Sequence, residues 1–481
     1  MIRACAPVSR MNAALLRKLR FMCVLFLCSI LVIGSRQQLA ARTAESSSEV
    51  KTTEGTEFWL CFQRNFKDTP VKQNEKNGNE LTLELYVSSS SDTKVSIDIE
   101  GIKYQTTVKV SAGTVEKVVI DAAAEIKHLE IIKRLAIHIL SDNPVTVYGL
   151  SSRYQTTDAF LGLPVSVLGK EYMAMGYKYS EGLLSQFAII ATEEETVVTI
   201  TPTANTSTGH AATVPFSVSM RKGDVFQVSS HNETSAGTDL TGSKITSNKN
   251  IAVFSGHQCA YVPEGIVGCN HLAEQMPPIT SWGEMFIVGK LFNRSKYTVR
   301  VLAHQDNTQI YLNSELVGTL NAGEVYENSE LTGNTSISSS RPVLVAQYSQ
   351  GFLNNDYIGD PMMLLVTPTE QFMSSYRFAT PKSGDWYHYV NVTIPTAAVS
   401  SIRIDGKPLD ANVEFQQVAN SMYSIAQLNV SYGTHTISAD QSFGMYSYGF
   451  GYGTQAYDAY GTMGGQSFNS LDTGSNSLKN K

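Results

Sequence analysis

The chain has 481 residues, a net charge of −6, 42% hydrophobic residues and only 17% charged ones. No basic field exists to attract nucleic acid, so no nucleic-acid partner is expected, and no acidic block suggests a tail.

At the start of the chain, Arg17, Lys18 and Arg20 precede an apolar run from Phe21 to Gly34, and a polar stretch follows. This is the layout of a secretory signal. The run is shorter than the roughly 20 residues a spanning helix needs, so cleavage is expected, and the membrane is a partner only if the leader stays as an anchor. We assign residues 1–44 to the leader, with Ala40, Ala41 and Ala44 as small residues for a cut. Cys5, Cys23 and Cys28 depart with it, which leaves Cys61, Cys259 and Cys269. The mature chain, soluble and outside the cytosol, is long enough for about two to four domains.

The body is a succession of short alternating or β-branched runs, such as LTLELYV (81–87), KVSIDIE (94–100), PVTVYGL (144–150) and TVVTITP (196–202). Period two with Val, Ile, Thr and Tyr predicts strands, separated by turns rich in Gly, Asn, Asp and Ser. One segment, DAAAEIKHLEIIKR (121–134), has the composition of a short helix.

A repeat organises these strands. SDNPVTVYGLS, SNKNIAVFSGH, SSRPVLVAQYS and ADQSFGMYSYG share a polar turn followed by a strand, and Pro144, Asn250, Pro342 and Ser442 align at intervals of 106, 92 and 100 residues. The expected architecture is all-β: about four tandem, sandwich-like units over 54–153, 160–257, 274–351 and 364–451, with a polar flexible tail over 456–481. The spacing is too long for a single propeller blade of about 45 residues. A closed pseudosymmetric or propeller-like ring is the alternative.

Chemistry concentrates in HQCAYVPEGIVGCNHLAEQMPP, residues 257–278. His257, Cys259, Cys269 and His271 have donor types that zinc accepts, and a free Cys259 or Cys269 beside His271 would be a nucleophile. A secreted location favours instead a Cys259–Cys269 disulfide, which makes the stretch a scaffold element. Glu274 and Gln275 then tie the loop to the next unit, and Pro277 and Pro278 stiffen the approach to Trp282. Cys61, in the apolar EFWLCFQRNF, reads as buried and inert.

Two surface turns stand out: TEEET (192–196), read as a solvated face, and Lys222-Gly223-Asp224, read as a structural turn. Sequons at Asn205, Asn232, Asn293, Asn334, Asn391 and Asn429 are candidate glycosylation sites. No hydrolase, zinc-protease, nucleotide or EF-hand signature occurs, so no catalytic, metal or cofactor residue is assigned.

With these residues in view, the chain resembles the N-terminal domain of IgGFc-binding proteins. The matching strings are GTEFW (55–59), L-P-x-x-x-L-G-x-E-Y (163–172) and C-N-H-L-x-E-Q-x-P-P (269–278) followed by Trp282-Gly283, with Asn270 where the family commonly has Asp. The resemblance covers about 54–455 and implies a non-catalytic extracellular recognition, adhesion or mucus-type protein with a protein or glycan partner. Antibody Fc binding does not carry over. The rival readings are a carbohydrate-active hydrolase pairing Glu264 or Glu274 with Asp356 or Asp360, and a self-assembling matrix subunit.

Overall fold

The runs of β-branched residues form strands, as their period demands. The computed structural model describes residues 51–66, 81–178, 182–231, 238–382 and 384–468; the leader expected over 1–44 and the sequon at Asn232 lie outside them. Among the described residues, helix is confined to 3-10 turns of three to six residues. None is long and apolar enough to cross a membrane. The segment with helical composition makes only the turn Ala122–Ala124, capped by the Asp121 carboxylate. Beyond it the backbone is drawn outward: the amide of Ile126 donates to Phe62 O, that of Glu130 to Gln227 O, and Lys133 and Val225 exchange both bonds. Pairing with other strands overrides the local preference.

Four sheets follow one another, over 55–161, 169–275, 283–365 and 373–463, with seven, seven, seven and eight strands. Each is organised by one long strand: Ile137–Arg153, Lys244–Tyr261, Thr335–Tyr348 and Gly433–Gly451. In the first unit the early part of this strand pairs with Gly55–Leu60 and Thr93–Ile99, and the late part with Thr82–Ser89 and Thr156–Leu161. A single strand therefore crosses both layers of a small sandwich. The aligned polar segments are not turns before a strand, as the sequence suggested. They lie within the long strand where it passes between layers, and local bonds hold them extended: Thr93 Oγ1 accepts from the Asn143 amide and Ser141 Oγ donates to Asn143 O. Burial changes at the same place, alternating before the crossing and continuous after it.

The last strand of each sheet is short and central: Thr156–Leu161, Cys269–Gln275, Met363–Leu365 and Ala459–Met463. These four inner strands pack first on second, second on third, third on fourth and fourth on first. The tandem units thus close into the pseudosymmetric ring posed as the alternative. Residues 51–53 and 466–468 seal it, since the Thr53 amide donates to Gln466 O, the Phe468 amide to Lys51 O, and Thr52 bridges Ser467. Residues 456–468 are therefore not part of a polar tail. Ala459–Met463 is buried along its whole length because its side chains are small or apolar and face neighbouring units.

Apolar cores run across unit boundaries. One joins the first two units through Phe160, Phe254 and Ala273, and another joins the third and fourth through Val345, Tyr389 and Tyr448. Gly55, Gly169 and Gly283, which open three units, lie so close to Pro164, Pro278 and Pro368 that an added Cβ would meet the proline ring at 2.3, 2.7 and 2.3 Å.

The tightest such approach is at Gly256, where a Cβ would fall 1.8 Å from Leu272 O on the neighbouring inner strand. Gly256→Ala is expected to cost about 1–3 kcal/mol by overpacking, read as a lower urea midpoint. Gly333→Ala, with nothing within 4 Å, should change stability by less than about 0.5 kcal/mol.

Candidate functional site: the ring axis and the loop face above it

Equivalent positions in the four inner strands follow from their register on the long strands. Tyr148 pairs Leu161, Phe254 pairs Gln275, Ala346 pairs Leu365 and Tyr446 pairs Met463. By that register Ala159, Ala273, Met363 and Gly461 are one set. All four of their amides donate to a single carboxylate, Asp158, at 2.9, 3.2, 3.3 and 3.2 Å. Asp158 is fully buried. Burial pushes its carboxyl well above the usual range, against the pull of the four amides.

Two residues of the 257–278 stretch extend this column. Asn270 donates through Nδ2 to Thr157 O, Pro361 O and Ala459 O, the equivalent carbonyls of the other three units, at 2.8, 2.7 and 3.1 Å. Its Oδ1 accepts from the Thr157 and His271 amides. Glu274 points toward the amides of Leu161, Leu365 and Met463 without closing a full hydrogen bond to any of them. Burial first, and the charge of Asp158 second, raise its carboxyl well above the ordinary value.

The remaining residues of the stretch serve the same scaffold. Cys259 and Cys269 are joined, Cα–Cα 5.2 Å, at the mouth of the hairpin between long and inner strands, so neither sulfur is a thiolate for zinc or for nucleophilic attack. His257 Nδ1 accepts from the Cys259 amide and His271 Nδ1 bonds to His257 O. Burial lowers their pKa values to about 3 and about 4, which keeps both neutral at physiological pH. Gln275 Oε1 takes the Leu163 amide at 2.7 Å. Pro278 packs on Gly169, and Trp282 donates to Pro277 O. Cys61 is fully buried, and burial pushes its thiol up.

The carboxylates of the hydrolase reading sit in different surroundings. Glu264 is exposed in the disulfide loop and Glu274 lies on the axis. Asp356 accepts from the Ser295 amide and faces Arg294, whereas Asp360 faces Asp458 and Arg294. Of the sequons, Asn205, Asn293 and Asn429 are exposed and Asn334 is half-buried. Asn391 is different: Nδ2 donates to Lys290 O and Tyr446 OH, Oδ1 accepts from Tyr448 OH, and the residue is fully buried. The fold leaves no room for a glycan there.

Asp158 was not anticipated from the sequence; stacking the four inner strands in register would have shown it as a lone acid opposite Leu272, Met362 and Tyr460. Equally unforeseen is the face above the axis, built by the four loops that join long to inner strands. They touch in turn. The Gln155 side chain meets Ala456 O, the Leu353 and Gly351 amides reach Val267 O and Val262 O of the disulfide loop, and Phe352 packs on Tyr457 with ring centroids 4.4 Å apart. Tyr387 stacks on Tyr452 at 4.3 Å. Tyr154, Val267, Leu353, Tyr357, Tyr452 and Tyr457 are exposed there, Tyr357 to 69%.

Two outcomes follow from this chemistry. Asn270→Asp sets a carboxylate against three carbonyls, which costs on the order of 3 kcal/mol when charged. Protonation restores a donor, so the folded-state pKa of the new acid is raised, and the loss relative to the parent should be large at pH 8 and shrink toward pH 5 in chemical denaturation. Replacing Cys259 and Cys269 together by Ser should remove roughly 3 kcal/mol, the value for an eleven-residue loop in the chain-entropy model. In the unreduced parent, Cys61 should resist alkylation until the chain is unfolded.

A family model described as IgGFc binding protein matches residues 158–449. A Homo sapiens protein named IgGFc-binding protein is 26% identical over 430 residues, covering 86% of this chain and 8% of that protein. The chain thus spans less than a tenth of that relative's length. Among solved structures, a tetra-tandem repeat in the extending region of a large adhesion protein is 11% identical and covers 83% of this chain and 98% of that one, with a TM-score of 0.10. A likeness at that score says nothing about the fold. With the family model matching more than half its length, the chain belongs to the IgGFc-binding protein family.

Proposed function

We propose that the protein is a secreted, non-catalytic recognition module that holds an extracellular glycoprotein against the face made by its four axial loops. The observation that carries this reading is the cluster of exposed tyrosines on loops fixed to one another and to the axis. Tyrosine offers a large amphipathic contact area at small entropic cost, which is why it dominates antibody combining sites and interface hot spots. The segment GYGTQAYDAYG (451–461) supplies Tyr452 and Tyr457 to this face, and glycine beside tyrosine lets backbone and ring present together.

Membership of the family supports a binding or mucus-type role. The name of the human relative speaks of antibody Fc; nothing on the loop face here singles out an Fc, so the partner is proposed by class only. Purified immunoglobulin G Fc and secreted mucin glycoproteins are the probes for biolayer interferometry on the mature protein. Binding to one of them should weaken at least tenfold in Tyr357→Ala or Tyr154→Ala, with the melting temperature unchanged. Full affinity in both variants would place recognition elsewhere.

A further inference from the structure

The chain itself crosses three of the four unit boundaries, at 162–168, 276–282 and 366–372, but the fourth unit meets the first only through noncovalent contacts. Away from the loops, residues 51–53 and 466–468 close this seam. Under the loop face it is closed by a row of polar side chains. Lys382 Nζ donates to Ser152 Oγ at 2.6 Å, the Ser152 and Thr157 hydroxyls share a bond of 2.9 Å, and Thr157 Oγ1 donates to Asp458 Oδ2 at 2.7 Å. Lys382 and Asp458 belong to the fourth unit, Ser152 and Thr157 to the first, so the row crosses the seam twice. Its inner members are buried, whereas Lys382 is half-buried.

A second acid stands beside this row. By the register of the inner strands, Asp360 and Asp458 lie level with Asn270, and Asp158 lies one level further along the axis. Asp360 takes the Phe352 amide, and its Oδ1 has no partner. Burial first, and the charge of Asp458 second, raise its carboxyl well above the ordinary range. Lys382 and Asp360 are thus the charged neighbours of Asp458; behind them, Glu84 and Lys117 flank Lys382 and Arg294 faces Asp360. Two acids at one buried level oppose each other's ionisation. Asp458, with Thr157, the Ala459 amide and Lys382 to support its charge, gives up its proton before Asp360 does.

We propose that the fourth-to-first seam is a pH-sensitive clasp, closed from Lys382 to Asp458 while Asp458 is protonated and loosened at its loop-face end once Asp458 ionises. The Ser152 and Thr157 hydroxyls link Asp458 to half-buried Lys382, so a proton reaches the acid without an open cleft. Burial pushes the Asp458 carboxyl up to about 7, against the pull of Thr157 and Lys382. A carboxyl whose folded value lies above the unfolded one of about 4 adds stability that is full below that value and is lost as pH rises through about 7. The seam is therefore tighter on the acid side of neutrality than on the alkaline side. The clasp does not depend on which partner the loop face holds.

Burial also raises Asp158 and Glu274, so whole-protein stability mixes several acids and the readout has to be local. Hydrogen–deuterium exchange of the mature protein, corrected for the chemical exchange rate, is followed between pH 5.5 and 8.5 in peptides covering 152–158 and 452–459. Both peptides should lose at least fivefold in protection across that range, while the disulfide loop 262–268 keeps its own. Asp458→Asn, which keeps an acceptor for Thr157 but cannot ionise, should hold the same protection at both ends of the range. Lys382→Gln removes the cation that favours the ionised acid and should move the midpoint of the loss to higher pH; this variant decides the matter if Asp458→Asn fails to fold. Protection that is level with pH in the parent, a loss that persists in folded Asp458→Asn, or a midpoint unmoved in Lys382→Gln would overturn the clasp.

Discussion

The ring rests on one carboxylate. Four inner strands arranged about an axis cannot ladder with one another, so the backbone groups they turn inward have no sheet partner. Each buried amide left unpaired would cost about 1–3 kcal/mol. Against the desolvation that raises its carboxyl, the amides favour the ionised form, whose oxygens offer about four lone-pair sites, and Asp158 receives one amide from each of four units. The match of four acceptor sites to four strands explains why a single acidic side chain can sit at the centre of an apolar molecule.

Levels above and below obey the same rule with reversed or repeated polarity. Backbone groups two residues apart face the same way along a strand, so carbonyls at Thr157, Pro361 and Ala459 form one level, the Asp158 amides the next, and the amides of Leu161, Leu365 and Met463 a third. A carbonyl level needs a donor, and Asn270 provides an amide where a carboxylate would repel. An amide level needs an acceptor, hence Asp158 and Glu274. One side chain serves four units at the Asp158 level and the three other units at the Asn270 level, so the other units are free to carry Leu272, Met362 and Tyr460 opposite Asp158. The repeats can therefore diverge in sequence while their backbones remain equivalent.

That division of labour decides what was legible. Strand type and unit number were readable because they depend on period-two burial and on the recurring crossing at Pro144, Asn250, Pro342 and Ser442, which local patterns record. The Cys259–Cys269 bond was readable from compartment and spacing. Closure of the ring was only one of two options, since it depends on contacts between residues 51–53 and 466–468, which no local pattern encodes. Ala459–Met463 was mistaken for tail because a short strand with Gly and Tyr has the composition of a flexible segment. The string C-N-H-L-x-E-Q-x-P-P was recognisable as a unit, yet its meaning was hidden: Asn270 and Glu274 act on backbone atoms of three other units, and their partners have no side-chain signature.

The axis also bears on the proposed recognition by the loop face. Because Asn270, the disulfide and Ala459 tie the roots of the loops to it, the loops stand on a support that Asp158 bonds to all four units. Loops held in this way lose little conformational entropy when a partner arrives, and that cost, more than buried area, separates weak from tight binding. Their tips carry little of the scaffold: Tyr154, Leu353, Tyr357 and Val267 are exposed, and substitution there leaves the axial bonds intact. A fold whose four inner strands are tied through a few axial side chains lets its loop face change sequence without changing its shape.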